Sequence, residues 1–258
     1  CGLRRVPFMS KDEKTRIVAV IPAHLDSLRF PKKILHPFHN LPMVEHVRRR
    51  ALLCDMISKV LVATCDEEIA DQVRKHGGKV VMTSDQHLTG TTRVAEAVEQ
   101  IDCTHILILQ GDEPLLLPQH LDLIVSHLVA EPDKDAWNVT GPINNSHELD
   151  LHSFVKCAIT KEHRILYCFR RSPSYSDTDQ QKSYIKKMLG IIAFRKFTLI
   201  KLASLKLTRI EKAEFIEQMR IIENGYSFYS VPVDHSTPSV NEPNDTIAIL
   251  ETLKKDSQ

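Results

Sequence analysis

The 258 residues carry 34 lysines and arginines against 33 aspartates and glutamates, so a net charge of +1 excludes nucleic-acid or lipid binding by bulk electrostatics. The length suffices for a large core, as one α/β domain or a domain with an elaborated lobe, and no apolar run approaches the roughly 20 residues of a membrane span. The six cysteines (1, 54, 65, 103, 157 and 168) have no C-x-x-C spacing. Their mostly apolar surroundings point to buried free thiols and a reducing, cytoplasmic compartment.

Residues 1–14 are expected to be a disordered extension or an expression remnant, with Met9 a candidate natural start. A continuous β-branched run predicts a first strand over residues 16–21. The loop after it lacks glycine, which excludes a Walker loop or a G-x-G-x-x-G turn, yet it places Ser27, Arg29, Lys32 and Lys33 directly beyond the strand. Cationic side chains and backbone amides there can hold a triphosphate; a lone basic loop is more often a solvated face. A helix is predicted over residues 43–54, with Pro42 at its start and Arg48, Arg49 and Arg50 mainly on its wet side. A strand over 59–64, a helix ending near Gly77-Gly78 and a short strand over 79–82 follow. The polar loop from Thr83 to Arg93 then opens a helix over 94–101, where hydroxyls, Gly90 and an arginine can either receive a ligand or merely cap the helix.

The run Ile106-Leu-Ile-Leu109 suits a strand covered on both faces, and it stops abruptly at Gln110-Gly-Asp-Glu-Pro114. Gly111 allows a tight turn, and Asp112 and Glu113 lie just past the strand's carboxyl end, where open α/β sheets bind ligands. A carboxylate there can hold a hard cation such as magnesium; the alternative is an acidic turn capping the helix predicted over 118–130. This alternation predicts a doubly wound, mostly parallel α/β sheet. It weakens between about 136 and 235, which predicts a smaller, partly antiparallel lobe. The polar stretch 171–183 reads as a mobile loop, either a surface excursion or part of a dimer contact. Glu211, Glu214 and Gln218, at i, i+3 and i+7, are expected to share one helix face. A final helix over 245–254 packs back on the first region. The expected divisions are thus 1–14, an alternating α/β region 15–135, a smaller lobe 136–235, and a C-terminal segment 236–258.

Three motifs in register carry a resemblance: Pro22-Ala-x-x-x-Ser27-x-Arg29-x-Pro31-x-Lys33-x-Leu35, Met82-Thr83 with Gly90-Thr91-x-Arg93, and Gln110-Gly-Asp-Glu-Pro114. Together with Phe154-Val-Lys156, Leu166-Tyr167 through Arg171-Ser-Pro173, Leu189-Gly190-Ile, and Glu217-Gln218-Met-Arg220, they resemble the CMP-Kdo synthetases. These are 3-deoxy-manno-octulosonate (Kdo) cytidylyltransferases, with nucleotide-diphospho-sugar-transferase-like architecture. The likeness covers roughly residues 16 to 250. It implies a cytidylyltransferase that couples CTP to a 3-deoxy-2-ulosonic acid for lipopolysaccharide-type glycan synthesis, with magnesium as cofactor and a homodimer as the assembly.

By that resemblance Arg29, Lys33 and Asp112 are the catalytic residues, and Asp112 with Asn241 binds magnesium. The nucleotide falls to Pro22, Ala23, His24, Ser27, Arg29, Lys32, Lys33, His87, Thr89, Gly90, Arg93, Gln110 and Gly111, and the sugar to Arg93, Arg171, Glu217 and Gln218. The chain departs from the family pattern at His24 (usually arginine), Lys32 (glycine), Met188 (histidine) and Asn241 (aspartate). Those departures leave a second reading open, a catalytically impaired nucleotide- or sugar-binding homologue.

Overall fold

The computed structural model describes residues 15–256; the expectations for residues 1–14 lie outside them. β1 (Ile17–Pro22) is buried over five of its six positions and lies in the middle of the sheet, as a continuous β-branched run requires. After a one-turn 3-10 helix (Lys33–Leu35), the two-residue strands β2 (Pro37–Phe38) and β3 (Leu41–Pro42) form a hairpin that leads into α1 (Met43–Ala51). Arg48 is not on a wet face. It is 6% exposed and forks onto the fully buried Glu45 at 2.7 and 2.8 Å, because a carboxylate one turn earlier neutralises it.

β4 (Ile57–Thr64), α2 (Glu67–Lys75), β5 (Lys79–Met82), α3 (Gly90–Val98), β6 (His105–Leu109) and α4 (Pro118–Ala130) complete the alternating half. Beyond it come β7 (Ala136–Gly141), β8 (Lys156–Ile159), β9 (Ile165–Phe169), α5 (Thr178–Tyr184) and β10 (Ile185–Arg195). α5 corrects the expectation of a loop across 171–183: Asp177 Oδ1 accepts from the amides of Asp179 and Gln180, both at 3.0 Å, and so starts a helix inside a polar stretch. The chain closes with α6 (Lys196–Ala203), α7 (Arg209–Glu214), α8 (Met219–Glu223), β11 (Phe228–Pro232) and α9 (Asp245–Asp256).

Among the described residues one nine-stranded sheet runs β11-β7-β10-β6-β1-β4-β5. β6, β1, β4 and β5 are parallel, as β7 and β11 are to each other, and antiparallel β10 joins the two groups. β8 and β9 leave this path as an antiparallel pair on β10, which gives the partly antiparallel lobe. The architecture is the mostly parallel α/β sheet expected, with apolar clusters on both faces. Parallel strands aligned this way bring the ends of β1, β4 and β6 to one edge, where the loops of interest lie.

Candidate active site

Three turns meet at the carboxyl ends of β1 and β6. A β-carbon on Gly111 would lie 2.4 Å from Ile34 Cδ1 and 3.6 Å from Pro22 O, and one on Gly90 would lie 3.0 Å from Pro22 Cγ. Glycine at both positions therefore lets the α3 and β6 turns close around Pro22. Ala23 is buried and continues the sheet through Ala23 N donating to Ala63 O at 2.9 Å. His24 is exposed, and Ser27 is half-buried.

Charge gathers on this platform. Lys33 Nζ donates to Asp112 Oδ2 at 2.6 Å and to Val240 O at 3.0 Å, while Val240 N donates to Asp112 O at 2.8 Å. Arg29 reaches Asn241 Oδ1 at 3.4 Å and Glu242 at 3.7 Å. Residues separated by more than 200 positions thus converge, and Arg29, Lys33, Asp112 and Asn241 form one cluster. Lys32 takes another direction. At φ 56 it adopts the left-handed conformation that favours glycine, and its ammonium pairs with Glu68 at 2.6 Å.

Glu113 turns inward from the same acidic turn. Its Oε1 accepts from Gly190 N at 2.7 Å, and Gln110 N donates to Gly190 O at 2.8 Å, which ties the turn to β10 on both sides. Burial, reinforced by the neighbouring Asp112 charge, pushes the Glu113 carboxyl up to about 7. A β-carbon on Gly190 would stand 2.6 Å from Glu113 Oε1 and 2.7 Å from Gln110 Cβ, so the close approach requires glycine. Neither the metal reading nor the helix-capping reading of the turn anticipates this brace.

The loop before α3 is held from within. Arg93, 4% exposed, donates to Thr83 Oγ1 at 2.7 Å and to Ser84 O at 3.2 Å, and His87 meets the Glu96 carboxylate. Thr89 caps α3 by accepting from Thr92 N at 3.3 Å, so the helix begins at Gly90 and not at Val94. Past that first turn lies a pocket lined by Thr91, Ile192, Glu217, Gln218 and Arg220 among others. Burial raises the Glu217 carboxyl, and contacts with the Thr91 and Thr89 hydroxyls oppose the rise.

Glu211, Glu214 and Gln218 do not share a helix face. α7 ends at Glu214, Phe215 turns left-handed at φ 55, and Gln218 stands at the start of α8. Glu211 instead faces inward, capping α7 with Thr208 and taking the Arg220 guanidinium at 2.5 Å. Arg171 lies apart from the Glu217–Gln218 pocket: it is exposed, 3.8 Å from Asp150, beside a second groove that includes His152 and Phe215. Residue patterns mark Thr91 and Gly190 within the motifs and set Glu242 beside Asn241, but give none of them, nor Val240, the contact it makes here. Gly190 carries a further signal, as an isolated glycine in a strand-like run.

The description "Cytidylyltransferase" belongs to the family model that matches residues 18–230. The chain is 35% identical over 251 residues to a 3-deoxy-manno-octulosonate cytidylyltransferase of Geobacter metallireducens, covering 93% of this chain and 98% of that one. It is 36% identical over 234 residues to an 8-amino-3,8-dideoxy-manno-octulosonate cytidylyltransferase of Shewanella sediminis, covering 89% and 95%. Among solved structures it resembles a CMP:2-keto-3-deoxy-manno-octonic acid synthetase complexed with CTP, with a TM-score of 0.88, 29% identity, and 94% and 100% of the two chains covered.

Proposed function

The chain belongs to the cytidylyltransferase family, and from that premise we propose that it couples CTP to a 3-deoxy-2-ulosonic acid of the Kdo type, yielding the CMP-sugar and pyrophosphate. The observation that carries the proposal is the convergence of Lys33, Arg29, Asp112 and Asn241 beside the Pro22–Gly111 platform. In the reaction the anomeric hydroxyl attacks the α-phosphorus in line; its oxygen–phosphorus bond forms, the bond from the α-phosphorus to the bridging oxygen breaks to release pyrophosphate, and the hydroxyl proton passes to solvent. Such a transfer needs alignment and charge neutralisation more than a protein nucleophile.

Arg29 and Lys33 hold the β- and γ-phosphates. To do so, each exchanges its contacts with Glu242 and Asp112 for phosphate oxygens, a step made easy by the partial exposure of these ion pairs. Ala23 and the backbone at His87, Thr89, Gly90 and Gln110 frame the base and ribose. Glu217 and Gln218 orient the sugar hydroxyls from the pocket they line; Arg171, which lies apart from that pocket, has no part in this reading.

The donors at Asp112 and Asn241 suit a hard cation: a carboxylate with one oxygen clear of Lys33, and an amide oxygen that Arg29 reaches. Among the described residues no group of three or more His, Cys, Asp or Glu could hold a metal ion. A bound magnesium supplies charge neutralisation at the phosphates and lowers the pKa of the sugar hydroxyl.

The same reading includes a homodimer, with the 171–183 segment either a surface excursion or part of the contact, and a reducing, cytoplasmic setting, which the buried free thiols at 54, 103, 157 and 168 favour. Among the described residues no helix is long and apolar enough to cross a membrane. The test is pyrophosphate release with CTP, magnesium and a panel of Kdo, 8-amino-Kdo and sialic acid. Turnover with a Kdo-type sugar is expected. CTP binding without turnover on any sugar would establish the impaired homologue instead.

A further inference from the structure

Glu217 and Gln218 sit on a short segment between α7 and α8, and it is fastened in place by strand β9. Arg170, the residue after β9, donates from Nη1 to His152 O at 2.9 Å, from Nη2 to Phe215 O at 3.2 Å and from Nε to Glu214 O at 3.4 Å. All three acceptors are backbone carbonyls, so the guanidinium grips the chain itself, whatever side chains stand there. Glu214 is the last residue of α7, where carbonyls lose their helical partners. Phe215 then adopts φ 55, a conformation unfavourable for a residue with a β-carbon. Its side chain is 82% exposed and does not offset that cost by packing. At the far end of the segment, Cys168 N donates to Met219 Sδ at 3.3 Å. Strand β9 thus holds both ends of the stretch whose middle is Glu217-Gln218.

We infer that Arg170 is a positioning residue for the sugar acid. It fixes the left-handed turn at Phe215, so that Glu217 and Gln218 face Thr91 and the first turn of α3, and it touches neither substrate. The inference rests on the sugar-binding reading of Glu217 and Gln218. It separates Arg170 from its neighbour Arg171, which is exposed and makes one long contact to Asp150.

The experiment is steady-state kinetics of the full chain with CTP, magnesium and Kdo, comparing wild type, Arg170→Ala and Arg170→Lys. In Arg170→Ala the KM for Kdo rises about tenfold or more while the KM for CTP moves less than about twofold, a loss confined to one substrate. Lysine lacks the planar fork and falls between the two. Guanidinium ion at millimolar concentration restores part of the lost Kdo affinity in Arg170→Ala. A merely structural role would raise both KM values together and would not respond to guanidinium; that result, or an unchanged Kdo KM, overturns the inference. Should Arg170→Ala fail to fold, the same split is read in Arg170→Lys. A wild type that releases no pyrophosphate with any sugar takes down the functional reading and this inference together. An active wild type with unsplit variants takes down the inference alone.

Discussion

The two ends of the candidate active site use charge in opposite ways. At the nucleotide end, Lys33 and Asp112 meet at 2.6 Å with 19% and 24% of their side chains still exposed, and Arg29 and Glu242 are more open still. At the sugar end, Arg220 and Glu211 are 7% and 5% exposed and interlock through several hydrogen bonds, while Arg170 holds carbonyls. Exposed pairs contribute little to stability and are readily exchanged for a ligand, whereas breaking a buried pair leaves a stranded charge. On the proposed function the first region therefore holds charge that a substrate can take over, and the second uses charge to stay rigid. Substitutions should divide accordingly, with chemistry lost at one end and stability or sugar affinity at the other.

The largest effect tests the nucleotide end. Asp112→Ala should lower kcat/KM by about a thousandfold, in line with losing a group that stabilises transferring charge, with little change in the denaturation midpoint. A comparable loss of stability in that variant would erase the contrast. Next comes Arg220→Met, which strands the buried Glu211 carboxylate and should cost about 3–5 kcal/mol in denaturant unfolding. The double variant Glu211→Gln/Arg220→Met should recover much of that loss, because no charge is then left uncompensated.

Gln218→Ala sharpens the division by substrate: the Kdo KM should rise about tenfold while the CTP KM stays put, the scale expected for a lost hydrogen bond. A separate prediction concerns Glu113, which ties the acidic turn to β10. Its carboxyl is raised from 4.5 to about 7 in the fold, so the stability it contributes is fully present below 4.5 and is lost as pH rises through 7. Unfolding measured across that window should show the decline in wild type and a flatter profile in Glu113→Gln, which keeps an acceptor for Gly190 N. Parallel profiles would remove Glu113 from the account.

The same two regions differ in how much of them can be read from residues alone. The nucleotide end is built at the ends of strands, where short motifs mark both the turn and the side chains that follow it, and β1, β6 and α4 lie close to where hydrophobic patterning put them. What no local pattern reveals is that Lys33 and Asp112, 79 residues apart, pair directly. At the sugar end the i, i+3, i+7 spacing of Glu211, Glu214 and Gln218 implied one face. Periodicity does not register a left-handed Phe215, and that residue sends Gln218 onto another helix. For a related reason, an exposed-looking run of arginines conceals that Arg48 is the one a buried Glu45 neutralises. Likewise, the Asp177 cap that starts α5 is one acidic residue among many polar ones.

The central claim is that Asp112, with Asn241, gathers the divalent ion that accompanies CTP. The most direct measurement is anomalous diffraction from crystals of the full chain soaked with CTP and manganese in place of magnesium. The account predicts a peak in coordination range, about 2–2.5 Å, of an Asp112 carboxylate oxygen and of the nucleotide phosphates, with Lys33 turned onto phosphate. A nucleotide bound at the Pro22–Gly111 platform with its ion remote from Asp112 would contradict it.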